Sequence, residues 1–351
     1  MKPASAEARY NTEDDKMADI NVLMIGGRRA GKTSVLAAMD RCCNELLASV
    51  PNINVSCTDG GVNLTLKENE LEHYFSKRYM KNMVFTPDLN PSVTSDTYTY
   101  EVNVNNRDSG CTLNFTDFPG EWLNSDEKQE ELQNMLDISQ IVIITIDTPH
   151  MVESIDDATM VGKYHYEFNR VPEITRFFKK AFQASKKERL VLFVPLKCEK
   201  YYYRNKMKTV NETLKIGYSE LLDFLANDEI KELCTVGIVP ILTLGGAEFF
   251  KFSENGYAGK YSYVQDAALR KYSPKYCEQP LFWTLNFLIK MAKKNKEHQG
   301  RFSRWFKETF FNAAKMTDLA ACEQTIEQLI ETDHGLGFEI IQNPIGFEVN
   351  K

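Results

Sequence analysis

The chain has 351 residues, of which 43% are hydrophobic and 26% are charged, and its formal net charge is −7. This composition is ordinary for a globular protein and lies outside the range of disordered or membrane proteins. The negative charge argues against nucleic acid as a partner, because nucleic-acid binding draws much of its affinity from basic residues that neutralise phosphates.

Residues 1–19 are polar and acidic and lack the apolar segment of a signal peptide, so they predict a flexible N-terminal tail. No later stretch approaches the ~20 apolar residues of a transmembrane helix. We therefore expect a cytoplasmic protein without a transmembrane segment. The eight cysteines show no C-x-x-C spacing and the five histidines are scattered, which argues against a zinc site.

The first element after the tail is a strand, a glycine-rich loop and a helix. Apolar residues 20–25 predict the strand, and residues 31–47 predict the helix. The segment that joins the strand to the start of the helix fits the pattern G-x-x-x-x-G-K-[ST], which binds nucleotide phosphates. Its residues are Gly26, Gly27, Arg28, Arg29, Ala30, Gly31, Lys32 and Thr33, with Ser34 next.

This motif has a defined chemistry. Its backbone N–H groups and the helix N-terminus surround the phosphates, and the lysine, here Lys32, reaches the β- and γ-phosphate oxygens. The hydroxyl of Thr33 is placed to ligate Mg²⁺. The sequence therefore predicts a bound nucleotide with Mg²⁺.

Three long segments separate the predicted core elements, and we expect them to be inserts. They comprise residues 48–96, 149–171 and 247–279. Residues 66–81, within the first, predict a helix. Connections of this length commonly carry function or contact a partner.

Two strands, 97–104 and 112–116, follow the first insert and are joined by a turn-rich segment. The second strand ends at Asp117, which opens the sequence D-x-x-G with Gly120 at its end. A carboxylate at a strand end can hold the Mg²⁺ shell, and the glycine lets the backbone approach the γ-phosphate. A type I turn is the alternative explanation of this pattern.

The remaining core elements alternate between buried strands and helices. We expect strands at 140–147, 189–197 and 235–244, and helices at 124–138, 172–185, 209–227 and 280–296. This alternation is typical of an α/β protein, and with the phosphate loop it predicts the three-layer P-loop NTPase fold, a mostly parallel sheet with helices on both faces. We assign residues 20–298 to one P-loop domain and residues 299–351 to a C-terminal helical extension.

The sequences GGRRAGKTS and DFPGE together resemble the first and third motifs of the Ras-like and translation-factor-like (TRAFAC) class of P-loop GTPases. The arginine-bearing loop, the long first insert and DFPGE are most similar to a bacterial group, the double-GTPase (DO-GTPase-like) proteins. The resemblance implies a protein that binds GTP and GDP, hydrolyses GTP with Mg²⁺ and acts as a molecular switch. Members of the group are proposed to act in bacterial conflict and signalling systems.

The resemblance also implies roles for individual residues. The family has a threonine before the second core strand that completes Mg²⁺ coordination, and Thr94 is favoured over Thr97 because the chain is still a loop there. Where the family has N-K-x-D for reading guanine, this chain has Leu196-Lys197-Cys198-Glu199. Lys197 would then lie over the base, and Glu199 would accept hydrogen bonds from guanine N1 and N2. The segment 243–246 occupies the position of the fifth family motif.

Catalysis rests on three residues in this prediction: Lys32, Arg28 and Glu121. Glu121 stands where the family usually has a glutamine that orients water, and Arg28 would compensate its charge or act as a built-in arginine finger. The partner protein would contact the segments 86–97 and 117–128 and the inserts. Two alternatives stay open: a P-loop protein that uses ATP, and a scaffold that binds nucleotide without turnover.

Overall fold

The computed structural model describes residues 18–47, 53–76, 84–87, 89, 94–104, 110–252, 261–265, 272–294 and 316–347. Residues 1–17 of the predicted tail lie outside this part of the chain. So does the predicted boundary between residues 298 and 299. No helix in the described ranges combines the length and the apolar character needed to cross a membrane.

Thirteen strands are present in the described residues. They are β1 Ala18–Ile25, β2 Ile53–Asp59, β3 Val84–Phe85, β4 Asp96–Val104, β5 Gly110–Asp117, β6 Ile141–Asp147, β7 Ile155–Asp156, β8 Val161–Gly162, β9 Arg189–Leu196, β10 Cys234–Ile238, β11 Ala247–Phe252, β12 Tyr261–Gln265 and β13 Glu339–Gln342.

Eleven α-helices accompany them in the same part of the chain. They are α1 Lys32–Leu47, α2 Gly61–Phe75, α3 Gln129–Ile138, α4 Thr148–Val152, α5 His165–Asn169, α6 Val171–Ala184, α7 Glu199–Tyr202, α8 Met207–Gly217, α9 Ser219–Leu225, α10 Gln279–Lys294 and α11 Met316–Leu329. Short 3₁₀ helices occur at Gly120–Asn124, Asp126–Lys128 and His334–Leu336.

Eight strands form the central sheet, in the order β13-β10-β9-β6-β1-β5-β4-β2. The five strands from β10 to β5 are parallel to one another. The strands β13, β4 and β2 join antiparallel at the two edges. Because the carboxyl ends of parallel strands meet at one edge of a sheet, the loops after β1, β5, β6 and β9 lie together, and ligands of open α/β sheets bind there.

Helices cover both faces of the central sheet. In β1, Val22 and Met24 pack into the core beneath α1, α10 and α11. Leu23 and Ile25 point to the other face and pack against α3, α6, α8 and α9, as the two-residue period of a strand requires. The strands β6 and β9 are buried along their whole length, which explains their continuous apolar sequences. The predicted α/β fold is confirmed.

Parts of the first and third predicted inserts form a second, three-stranded sheet. Its order is β11-β12-β3, and both pairings are antiparallel. We call it the insert sheet. Leu71 and Phe75 of α2 pack in one hydrophobic cluster with Tyr263 of β12, so α2 supports this sheet. The hydroxyls of Thr86 and Ser262 lie 3.0 Å apart, beside the β3–β12 pairing.

Several element boundaries differ from the predictions. The strand predicted to reach residue 244 ends at Ile238, because Pro240 follows shortly and cannot donate a ladder hydrogen bond. The single helix predicted over 209–227 is two helices that meet after Gly217, since glycine weakens a helix interior. The helix predicted over 124–138 begins as 3₁₀ turns and becomes α-helical at Gln129.

Two strands of the central sheet were not predicted. One is β2, inside the first insert, and the other is β13, within residues 299–351. The helix α2 starts earlier than predicted, at Gly61, and ends at Phe75; residues 77–81 of the predicted helix lie outside the described ranges. Residues 299–315 of the predicted C-terminal helical extension lie outside them as well.

Candidate functional site

The phosphate-loop motif lies where the sequence predicts it, between β1 and α1. A Cβ atom on Gly27 would stand 1.8 Å from the backbone oxygen of Phe168, and one on Gly26 would stand 2.1 Å from the Oγ1 of Thr145. Only residues without side chains fit so close to β6 and α5. The loop also holds Arg29 at φ 58°, a left-handed conformation that is rare outside glycine. The phosphate loop therefore packs tightly against β6 and α5.

Lys32, the first residue of α1, folds back over this loop. Its Nζ donates a hydrogen bond to the carbonyl oxygen of Gly26 at 3.2 Å, and the side chain is buried. Burial lowers the pKa of Lys32, while the carboxylates of Asp117 and Glu121 oppose that shift. An ammonium in this position faces the cavity in front of the loop.

Asp117, the last residue of β5, meets Thr33 at the start of α1. The Thr33 hydroxyl donates to Asp117 Oδ2 at 2.5 Å. The other carboxylate oxygen, Oδ1, is buried and has no hydrogen-bond partner among the residues that the structure describes. Burial raises the pKa of Asp117, Lys32 and Thr33 lower it, and Asp96 raises it further. The predicted pair Thr33 and Asp117 is thus brought together.

The residues after Asp117 close against the phosphate loop. A Cβ atom on Gly120 would lie 2.3 Å from the backbone nitrogen of Arg28, so no larger residue fits here. Next to it, Arg28 Nε and Glu121 Oε1 form an ion pair at 2.7 Å, with the side chains 55% and 45% exposed. The structure therefore brings the two predicted catalytic residues Arg28 and Glu121 into contact with each other.

Lys197 follows β9 and lies at the centre of a buried cluster. Its Nζ donates to Asp147 Oδ2 at 2.5 Å and to the carbonyl oxygen of Arg29 at 2.7 Å. It also lies 3.7 Å from the ring centroid of Tyr261. Burial lowers the pKa of Lys197, and the Asp147 carboxylate opposes that shift. Lys197 thus connects the end of β9 to the phosphate loop.

Asp147, at the end of β6, is the anion of this cluster. Burial alone would raise its pKa, but Lys197 and His150 hold it well below the usual range, so the carboxylate stays ionised. The Tyr261 hydroxyl donates to Asp147 Oδ2 at 2.5 Å, and His150 Nδ1 lies 3.0 Å from that hydroxyl and 3.0 Å from Asp147 Oδ1.

Glu199 begins α7, two residues after Lys197, and is fully buried. Its Oε1 accepts a hydrogen bond from the backbone N–H of Leu244 at 2.8 Å. Its Oε2 has no partner within the described residues. Burial raises the pKa of Glu199 to about 7. Glu199 stands behind Leu244 and is not among the described residues that line the cavity.

Thr94 and Thr97 are both exposed. Thr94 lies just before β4 and donates to Asp96 Oδ2 at 3.3 Å. Thr97 belongs to β4 and is paired with Thr116. Neither is among the described residues that line the cavity, and residues 88 and 90–93 of the same segment lie outside the described ranges.

One cavity joins these elements. Its lining is Arg28, Arg29, Ala30, Gly31, Lys32, Thr33, Ser34, Lys67, Pro87, Leu89, Asp117, Phe118, Pro119, Gly120, Glu121, Lys197, Thr243, Leu244, Tyr261 and Tyr263. Five of these residues are cationic and two are carboxylates, so the cavity favours an anionic ligand. No group of three or more histidine, cysteine or acidic side chains is placed to hold a metal ion in the described part of the chain.

Three of the cavity residues lie in the first and third predicted inserts and were not predicted as site residues. Lys67 lies on α2, and Tyr261 and Tyr263 lie on β12. Asp147 was also missed, although it ends a buried strand at the same sheet edge as Lys197. A search for polar residues at the ends of all buried strands would have found Asp147, whereas only the fold reveals the tyrosines.

Comparison with known proteins gives one family. The family model described as double-GTPase 2 matches residues 20–224. No curated protein matches the chain. Among solved structures, the GTPase-like domain of S. cerevisiae Ski7 bound to GTP is 17% identical, with 66% of this chain and 44% of that chain covered and a TM-score of 0.31.

The same domain bound to GDP and inorganic phosphate is 18% identical, with 66% and 44% covered and a TM-score of 0.30. The match spans less than half the length of those two chains.

Proposed function

Because the chain belongs to the double-GTPase 2 family, we propose that it binds GTP with Mg²⁺ in the cavity described above and hydrolyses it to GDP. The observation that carries this proposal is the cavity lining, which places five cationic side chains and two carboxylates around a phosphate loop. A triphosphate neutralises this surplus of positive charge. The helix N-terminus behind the loop adds partial positive charge at the same point.

Lys32 is the proposed phosphate ligand with the strongest support. It is buried, lies at the start of α1 and has a weak backbone partner, the Gly26 carbonyl at 3.2 Å. A γ-phosphate oxygen would form a charge-assisted hydrogen bond in its place. The backbone N–H groups of residues 27–33 would surround the β-phosphate, as in other loops of this pattern.

The donor set at Thr33 and Asp117 fits Mg²⁺. Hydroxyl and carboxylate oxygens are the ligands that this hard cation takes, and it binds few protein groups besides phosphates and water. The buried Asp117 Oδ1 without a described partner supports the assignment. Bound Mg²⁺ would neutralise charge on the phosphate oxygens. Thr94 remains the proposed third ligand, with Thr97 as its alternative.

For hydrolysis, we propose that Glu121 orients the attacking water and that Arg28 compensates its charge. The ion pair at 2.7 Å supports the second role. An arginine-finger role would require Arg28 to leave Glu121 for the phosphates. Both side chains are about half exposed, so this movement would cost little.

We propose that the base of the bound nucleotide lies between Lys197 and Leu244. Here one observation supports ATP as a second candidate. Glu199, the predicted reader of guanine, is buried behind Leu244 and bonded to its N–H. Reading of guanine by Glu199 would require the Leu244 segment to release that carboxylate.

The proposed switch comprises segments 86–97 and 117–128. Pro87 and Leu89 from the first, and Phe118 to Glu121 from the second, line the cavity. Both segments would then contact bound nucleotide, and their arrangement would differ between the GTP and GDP states. A partner protein would distinguish the two surfaces.

Calorimetric titration of GTP, GDP and ATP with Mg²⁺ tests the proposal. We expect GTP to bind, Lys32→Ala to weaken binding at least 100-fold, and the highly exposed Lys208→Ala to leave it unchanged. Unchanged GTP binding by Lys32→Ala would contradict the assignment of the cavity. Release of phosphate from GTP, measured on the same protein, tests turnover, and the GTP-to-ATP affinity ratio of Glu199→Ala tests base reading.

A further inference from the structure

Tyr261 is an unusual component for a nucleotide site, because it comes from the insert sheet rather than from a loop of the central sheet. It is 7% exposed, and its hydroxyl donates to Asp147 Oδ2 at 2.5 Å and lies 3.0 Å from His150 Nδ1. Burial and the nearby carboxylate raise the pKa of Tyr261 well above its ordinary value. The phenol therefore keeps its proton and acts as a hydrogen-bond donor.

The same tyrosine contacts the cation that Asp147 binds. The Lys197 ammonium stands 3.7 Å from the centre of the Tyr261 ring, within the range of a cation–π interaction. Tyr261 thus contacts Asp147 through its hydroxyl and Lys197 through its ring. The same Lys197 ammonium also donates a hydrogen bond to the Arg29 carbonyl oxygen at 2.7 Å.

That last contact reaches the phosphate loop where its backbone is strained. Arg29 has φ 58°, a left-handed conformation that is unfavourable for a non-glycine residue and needs support from its surroundings. A hydrogen bond from a buried cation to the Arg29 carbonyl supplies such support. The contacts form a continuous series from the insert sheet through Asp147 and Lys197 to the loop.

We propose that Tyr261 is a positioning residue for nucleotide binding: it holds Asp147 and Lys197 so that Lys197 fixes the phosphate loop in its binding conformation. This inference rests on the proposed function. It assigns the insert sheet a role in the site, since β12 carries Tyr261 and pairs with β3, directly before the segment 86–97. The phosphate loop would contact phosphates that GTP and GDP share, so the affinity for each nucleotide should depend on Tyr261.

The test compares two single-atom deletions. Tyr261→Phe removes the hydroxyl and keeps the ring, and we expect it to weaken GTP and GDP binding about 10-fold each, the loss of one hydrogen bond to a charged group. Tyr272→Phe is the matched control. Tyr272 is buried in the same hydrophobic cluster as the insert sheet, and its hydroxyl has no described partner. The Tyr272→Phe variant should bind GTP and GDP with wild-type affinity.

A double-mutant cycle with Lys197→Met separates positioning from a general structural role. If Tyr261 acts through Lys197, Tyr261→Phe should have less than a 2-fold effect on GDP affinity in the Lys197→Met background. A full 10-fold effect in that background overturns the inference, and so does wild-type affinity of the single variant. In both cases nucleotide binding by the wild type still supports the proposed function, whereas absence of that binding contradicts the function itself.

Discussion

The buried pair of Asp147 and Lys197 provides a direct test of how this site is held together. We consider the substitution Asp147→Asn, which keeps the size of the side chain and removes its charge. In the wild type the two side chains are 3% and 9% exposed, with 2.5 Å between Asp147 Oδ2 and Lys197 Nζ. The variant leaves a buried ammonium without its carboxylate.

The magnitude follows from this burial. Removing one partner of a buried ion pair costs about 3–5 kcal/mol, because the remaining charge is left uncompensated. Lys197 keeps the Arg29 carbonyl and the Tyr261 ring as partners, and asparagine still accepts a hydrogen bond. We therefore expect the lower end, about 3 kcal/mol, which is a large part of the ~5–15 kcal/mol that stabilises a typical protein.

Urea denaturation at pH 7 measures this loss, and at an m-value of ~3 kcal/mol/M the midpoint would fall by about 1 M. The control is Glu121→Gln, which breaks the half-exposed ion pair with Arg28 and should change the free energy of unfolding by less than ~1 kcal/mol. Combining Asp147→Asn with Lys197→Met removes both charges, so the double variant should be less destabilised than the sum of the two single variants.

The pH dependence has a definite sign. The pKa of Asp147 lies well below its usual range in the folded protein and is near 4 in an unfolded chain. Its contribution to stability is therefore present above about pH 4 and is lost as the pH falls toward the folded value. The difference between wild type and Asp147→Asn should shrink below pH 4. A loss under ~1 kcal/mol at pH 7, or strict additivity in the double variant, would refute the reasoning.

Three further predictions concern single residues. The pKa of Glu199 is raised to about 7, so its contribution to folding stability is favourable below about pH 4 and is lost as the pH rises to 7. Measured by urea titration, Glu199→Gln should therefore gain roughly 3 kcal/mol of stability relative to wild type between pH 4.5 and 8. Parallel pH profiles of the two proteins would contradict this. Arg28→Ala should slow phosphate release from GTP at least 10-fold with little change in GTP affinity, and an unaffected rate would remove Arg28 from the mechanism. Gly27→Ala, whose Cβ would stand 1.8 Å from the Phe168 oxygen, should abolish GTP binding in calorimetry, and wild-type affinity would contradict the tight packing of the loop.

The sequence predicts those parts of the site whose functional residues lie next to one another in the chain. The phosphate loop is one uninterrupted motif, and its strand and helix are strongly patterned. Asp117 ends β5 and Lys197 directly follows β9, so the topology of a parallel sheet brings them to the same edge. The Thr33–Asp117 contact follows from these local rules.

The remaining features depend on packing over long sequence distances. Glu199 was expected to read guanine because it stands where the family has the aspartate of N-K-x-D. However, Lys197 has φ 56° and Glu199 already belongs to α7, where its carboxylate accepts a hydrogen bond from the N–H of Leu244. Tyr261 belongs to a five-residue strand whose partner β3 has two residues. Such short elements carry almost no periodic signal. The same reason explains why β13, with four residues, was missed.

The pairing of β3 with β12 has a consequence for the order in which the protein acquires its site during synthesis. Tyr261 is added 229 residues after Lys32, which takes on the order of ten to fifty seconds at ordinary translation rates. The phosphate loop, β6 and β9 all precede it, and residues 20–224, matched by the family model, end before β12 begins. A nascent chain thus contains the glycine-rich loop well before the tyrosine that supports it. High nucleotide affinity is therefore expected as a late event in biogenesis, acquired only when the insert sheet has formed.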